Sequence, residues 1–105
     1  MPSPFHSAPY RQFLPGVAQA ATNSSAGAAL PRPGREQTVI VTNPGTTVAH
    51  FRMGAGAQTA VATDACILPG EQRVFQALET DTHFAVILDS STATIVVECG
   101  DGTII

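Results

Sequence analysis

Three histidines, two cysteines and eight acidic residues are the side chains of this sequence that could bind a metal or move a proton. His6, His50 and His83 are widely separated, with no His-x-His or His-x-x-x-His pair to aim two rings at one ion. A metal site would need His50 and His83 to converge in space with a carboxylate such as Asp81 or Asp89. Strand histidines facing solvent are the plainer expectation. Cys99 shares strand parity with Ile95 and Val97, which predicts a buried small hydrophobe. Cys66 precedes Ile67 and Leu68 and reads alike. Neither thiol has a cation beside it in sequence to lower its pKa for nucleophilic work. Gly54-Ala55-Gly56 lacks the following helix that a phosphate loop requires. Asp101, between Gly100 and Gly102, lacks the ligand series of a calcium loop. Asp64, Asp81 and Asp89 lie in or beside turns, as acids at strand ends ordinarily do. No catalytic, cofactor-binding or metal-binding set emerges, and no enzyme activity or cofactor is expected.

The elements that must position these residues are strands. "EQTVIVTN" is apolar on both parities at Val39, Ile40 and Val41, the pattern of a strand buried on both faces. "TVAHFRM" alternates, with Ala49, Phe51 and Met53 on one face and Val48, His50 and Arg52 on the other. "TAVATDACIL" holds one or two short strands. "LPGE" is a turn with Pro69 and Gly70 at their favoured positions. "RVFQAL", "HFAVILD" and "ATIVVECG" follow, separated by "ETDT" and "SST". Asn43-Pro44-Gly45-Thr46 carries the type II turn signature, Pro second and Gly third, and reads as a hairpin connection. Turn signals every 8–12 residues or so predict an all-β antiparallel sandwich, jelly-roll-like, of six to eight short strands over residues 36–105.

Composition narrows the function classes. The chain has 105 residues, enough for one domain, and a formal net charge of −3. It contains no lysine; its cations are Arg11, Arg32, Arg35, Arg52 and Arg73. With no basic patch, a nucleic acid is not an expected partner. No stretch approaches the roughly 20 apolar residues of a membrane-spanning helix, so no membrane is expected either. The N-terminal residues lack the charged and apolar regions of a secretory signal. Two cysteines make no disulfide framework, and both are expected to be reduced. So lightly charged a surface on so small a domain suits one partly covered by further copies, a homo-oligomer.

Residues 1–35 differ from the rest. Pro2, Pro4, Pro9, Pro15, Pro31 and Pro33 punctuate them, and prolines at this density oppose helices and interior strands. Phe5, Tyr10, Phe13 and Leu14 are nevertheless costly to leave in water. An extended arm ordered by a neighbouring subunit reconciles the two, with those four side chains as anchors and Arg11 free to pair with an acidic surface. A single strand at residues 27–30 is the regular structure expected within it.

The stretches "RPGREQTVIVTNPGTTVAHFRMGAG", "ILPGEQRVFQAL" and "THFAVILDSSTATIVVECGDG" together resemble small structural proteins from the virion gene blocks of tailed bacteriophages. The matching features are Asn43 to Thr46, Phe51 with Gly54, Pro69-Gly70, Thr92 to Thr94 and Gly100 to Gly102. They cover about two thirds of the chain and consist mostly of turn residues. The resemblance implies a β-sandwich virion protein, made in the host cytoplasm, that decorates or cements a capsid through the major capsid protein or other virion subunits. A head–tail connector, a tail component and a host-surface or glycan-binding module are the alternatives.

Overall fold

The structure is a computed structural model and describes residues 10–102. Nine strands are present among the described residues: β1 (Arg11–Gln12), β2 (Val17–Ala21), β3 (Ala26–Ala29), β4 (Gln37–Thr42), β5 (Ala49–Gly54), β6 (Ala65–Ile67), β7 (Gln72–Ala77), β8 (His83–Leu88) and β9 (Ala93–Asp101). They form two antiparallel sheets. One runs β2-β9-β4-β7, with β1 also on β9, and the other runs β3-β8-β5-β6. Each successive pair from β2/β3 to β8/β9, apart from the paired neighbours β5 and β6, is therefore split between the sheets. This strand order is that of the jelly roll, an all-β sandwich of two Greek keys.

Side-chain parity explains the packing. Val39 and Val41 of β4, Ala49 and Phe51 of β5, Phe84, Val86 and Leu88 of β8, and Ile95, Val97 and Cys99 of β9 fill the space between the sheets. Met53 packs against them. Phe51 is the bridge: its ring lies 5.0 Å from Phe75 on the opposite sheet and 5.8 Å from Phe84 beside it. Ile40 points to the outer face yet is 1 % exposed, so β4 is buried on both sides as its apolar run requires.

Two expectations are corrected. First, the Asn-Pro-Gly segment is not a hairpin. It carries the chain from β4 in one sheet to β5 in the other, and Gly45 is not among the glycines with positive φ, which include Gly70 of the Leu68–Glu71 corner. Local turn residues are the same for a hairpin and a sheet-to-sheet corner. Only the distant partners of the strands decide between them.

Second, the boundary expected at residue 35 does not divide the structure. Residues 11–12 and 17–21 pair with β9, and 26–29 with β8, so the described part of the arm builds one edge of each sheet within its own chain. The prolines flank these strands instead of interrupting them: Pro15 lies between β1 and β2, and Pro31 and Pro33 follow β3. At an edge, half of the backbone groups need no ladder partner, which is where such sequences are tolerated.

"TAVATDACIL" holds the single strand β6, within the one or two expected. Residues 55–64 fold back across the outer face of the β3-β8-β5-β6 sheet. The Ala60 N–H donates to Ser25 Oγ at 2.8 Å beside the far edge strand. Ala60 and the outward-facing Ala85 are 2 % and 0 % exposed.

Candidate functional site

The side chains able to do chemistry gather on this outer face. On β5, His50 and Arg52 share the parity opposite to Phe51, so both project outward. The Arg52 guanidinium meets Asp64 at two points, an ion-pair contact of Nε with Oδ2 at 2.9 Å and an Nη donating to Oδ1 at 3.0 Å. Asp64 in turn accepts the Val61 N–H at 2.8 Å, which fixes the end of the crossing loop. Burial works to raise the Asp64 carboxyl, but the Val61 N–H and Arg52 outweigh it and hold it below the usual carboxylate range. A lowered native pKa stabilises the fold above the ordinary carboxylate value, and this support is lost as pH falls through the lowered one.

His50 is not solvent-facing. It is 8 % exposed, with Nε2 donating to Asp89 Oδ1 at 2.8 Å and Nδ1 3.3 Å from the Asp64 carbonyl oxygen. Parity placed the ring outward correctly, but the loop that shields it is invisible to strand alternation. Cys66 sits opposite His50 in the β5–β6 register and is exposed, not buried as expected, because the inward position of β6 belongs to Ile67. Both nitrogens of His50 are taken up by oxygens, so no ring nitrogen is directed at the Cys66 thiol. His83 lies at the other end of the face, where Thr82 Oγ1 is 2.8 Å from its Nδ1. His50 and His83 therefore do not converge, and no three His, Cys, Asp or Glu among the described residues are placed to hold a metal ion. The cleft beside His83, lined also by Gly27, Ala57, Gln58 and Phe84, encloses about 250 Å³. That is below the roughly 300–1,000 Å³ of typical small-molecule pockets.

The thiols separate sharply. Cys99 is buried, and burial pushes its thiol up despite a backbone hydrogen bond from Arg32 that lowers it. A bulky thiol reagent should therefore label the native chain once, at Cys66, and reach Cys99 only on unfolding, with a rate lower by orders of magnitude. Equal labelling of both thiols, read by mass, would contradict the buried placement.

The arm residues fall into three groups. Phe5 lies outside the described residues. Tyr10 and Phe13 are engaged by their own chain. The Tyr10 ring lies against Gly100, where an added Cβ would collide with it, and burial followed by the Glu98 carboxylate pushes its phenol up. Phe13 donates its N–H to the Cys99 carbonyl at 3.0 Å and carries the Arg32 guanidinium 4.4 Å above its ring. Arg11 and Leu14 remain outward, Leu14 at 48 % exposure, with Arg11 opposite Asp101 in register. The sequence did not single out Arg52, and it offered Asp89 only as a possible metal ligand, not as the hydrogen-bond partner of His50. Their signal was present in part, since Arg52 shares a strand face with His50, but their partners lie 12 and 39 positions away.

The site and the fold thus define a jelly-roll sandwich with a filled apolar interior and an ion-paired, loop-covered outer face. Compared with known protein families, curated protein sequences and solved structures, the chain matches none.

Proposed function

We propose that this chain is a non-enzymatic structural subunit of a phage particle, one that decorates or cements the capsid through contacts with other subunits. The observation that carries the reading is the jelly-roll strand order, an architecture that viral capsid proteins use, on a sequence whose turn motifs resemble small virion proteins. The polar outer-face residues satisfy one another instead of converging on a cavity, as suits a structural role. Lectins also use jelly rolls, and a glycan-binding module is the second reading. Against it, sugar sites favour aromatic stacking platforms, while the chain has no Trp and its single Tyr is packed on Gly100.

Electron microscopy of purified particles from a host expressing the chain is the direct test. The reading expects jelly-roll density on the capsid surface into which this fold and its side chains fit. Density at the neck or tail would move the subunit to a connector or tail role. Absence of the chain from pure, complete particles would remove the virion reading altogether.

A further inference from the structure

Four sheet edges are described, and three of them are poor templates for pairing. The β1–β2 edge is interrupted at Pro15, β3 has four residues of Ala and Gly only, and β6 has three residues. Short, broken or small-residue edges are how sandwiches avoid adding strands. The fourth edge, β7, is different. It is six residues of "QRVFQA" without Pro or Gly. Its one charge, Arg73, does not guard it, because the guanidinium donates to the Cys66 carbonyl at 2.7 Å and lies 5.2 Å from the Phe75 ring.

The free hydrogen-bonding groups of β7 can be read from its register. Asn43 N–H donates to the Glu71 carbonyl, and the β4–β7 pairing continues this row through Arg73, Phe75 and Ala77. Alternation then points the N–H and C=O of Gln72, Val74 and Gln76 away from β4, along the open edge. This set is its own complement. Turned about a two-fold axis at Val74, Gln72 meets Gln76 of a second copy, Val74 meets Val74 and Gln76 meets Gln72, each as a hydrogen-bonded pair. The apolar surface agrees. Of five exposed large hydrophobic residues among those described, Leu68, Val74 and Leu78 lie on β7 or the corners at its two ends. The same axis brings Leu78 of one copy beside the Leu68–Gly70 corner of the other.

We propose that β7 is the surface by which two copies of this chain pair, antiparallel about a two-fold axis through Val74, joining their β2-β9-β4-β7 sheets into one. The occupant is a second copy, because the pattern of free groups, polar side chains and apolar corners matches itself. The inference stands apart from the virion reading, since it rests on the edge alone.

The test is sedimentation of the full chain from micromolar to millimolar concentration, in a Cys66→Ser background that prevents disulfide-linked dimers. Wild-type β7 should give a concentration-dependent dimer. Val74→Arg and the double variant Gln72→Lys with Gln76→Lys place like charges directly opposite and should weaken it about tenfold or more. Gln72→Glu with Gln76→Lys should restore it, because the new carboxylate at position 72 faces the new ammonium at position 76 of the other copy. The changed side chains are exposed in the monomer, so an unaltered strand signature in circular dichroism checks the fold. Should Val74→Arg fail to fold, the two Gln pairs decide alone. A monomer at all concentrations, or a dimer indifferent to these changes, overturns the proposal. A dimer weakened equally by both Gln pairs overturns the register.

Discussion

Phe51→Ala should remove a third or more of the stability of this domain. The ring is 2 % exposed and touches Phe75 across the sandwich and Phe84 beside it. Truncating a buried Phe costs about 3–5 kcal/mol through lost transfer energy and the cavity left behind. Two aromatic contacts of about 0.5–1.5 kcal/mol each place this one at the upper end. Apart from Phe84, Leu30, Leu88 and Cys99, the buried core around it is built of Val, Ala and Ile, whose short side chains reach poorly into the hole. Domains of this size have roughly 5–15 kcal/mol of total stability, so the loss takes a third or more of it. At roughly 4–8 °C per kcal/mol, the thermal midpoint should fall by about 20–30 °C. Phe51→Leu, which keeps much of the volume, should cost only about 1–2 kcal/mol. A scanning calorimetry trace for Phe51→Ala within about 5 °C of wild type would mean that the two sheets are not held together through this ring.

That residue was legible in advance, and the reason is instructive. "TVAHFRM" alternates because β5 has one face on the core and one outward, and period-two patterning reports such a strand directly. The same holds for Ile95, Val97 and Cys99 on β9, and for the doubly buried run of β4. Two features were not legible, both for one physical cause: they depend on what lies opposite, not on what lies adjacent. His50 is outward by parity, but residues 55–64 cross above its sheet and Asp89 arrives from the end of β8. "VAQAA" carries little strand propensity and becomes a strand because β9 presents a ladder to it, whereas the strand expected at residues 27–30 is found as β3, Ala26–Ala29, on the ladder of β8. Gly27 marks such a dependence, since an added Cβ would meet the Phe84 carbonyl oxygen and come within 2.9 Å of Ala85 Cα. The outer-face site was half visible for this reason: its residue types stood out, its pairings did not.

Asn43→Ala is the second change expected to act strongly, and it separates a turn residue from a tie between sheets. Asn43 is 0 % exposed. Its Nδ2 donates to the carbonyl of Thr47 at 2.9 Å and to that of Ile67, at the end of β6, at 3.0 Å, while Oδ1 accepts the Gly45 N–H at 3.0 Å. One amide thus shapes its own corner and fastens it to the neighbouring one, where Gly70 N–H reaches the Asn43 carbonyl at 2.7 Å. Alanine would take this partner from the buried Ile67 carbonyl and from the partly buried Thr47 carbonyl and Gly45 N–H. Each such loss costs about 1–3 kcal/mol, so a total of about 3 kcal/mol is expected even after some relaxation. A residue serving only a local hairpin would cost about 1 kcal/mol or less. Asn43→Asp sharpens the test. It keeps the acceptor for Gly45 but turns a carboxylate toward two carbonyl oxygens, at a site where burial opposes the charge. Its native pKa must therefore rise above the unfolded value. A group raised in this way binds its proton more tightly when folded, so the deficit against wild type should be largest near neutral pH and shrink as pH falls. Protonation also returns an O–H donor for one of the two carbonyls. Thermal midpoints for wild type and both variants, measured side by side from neutral to acidic pH, check this. A deficit for Asn43→Asp that stays constant with pH, or an Asn43→Ala midpoint close to wild type, would show that the corner is held by its backbone alone.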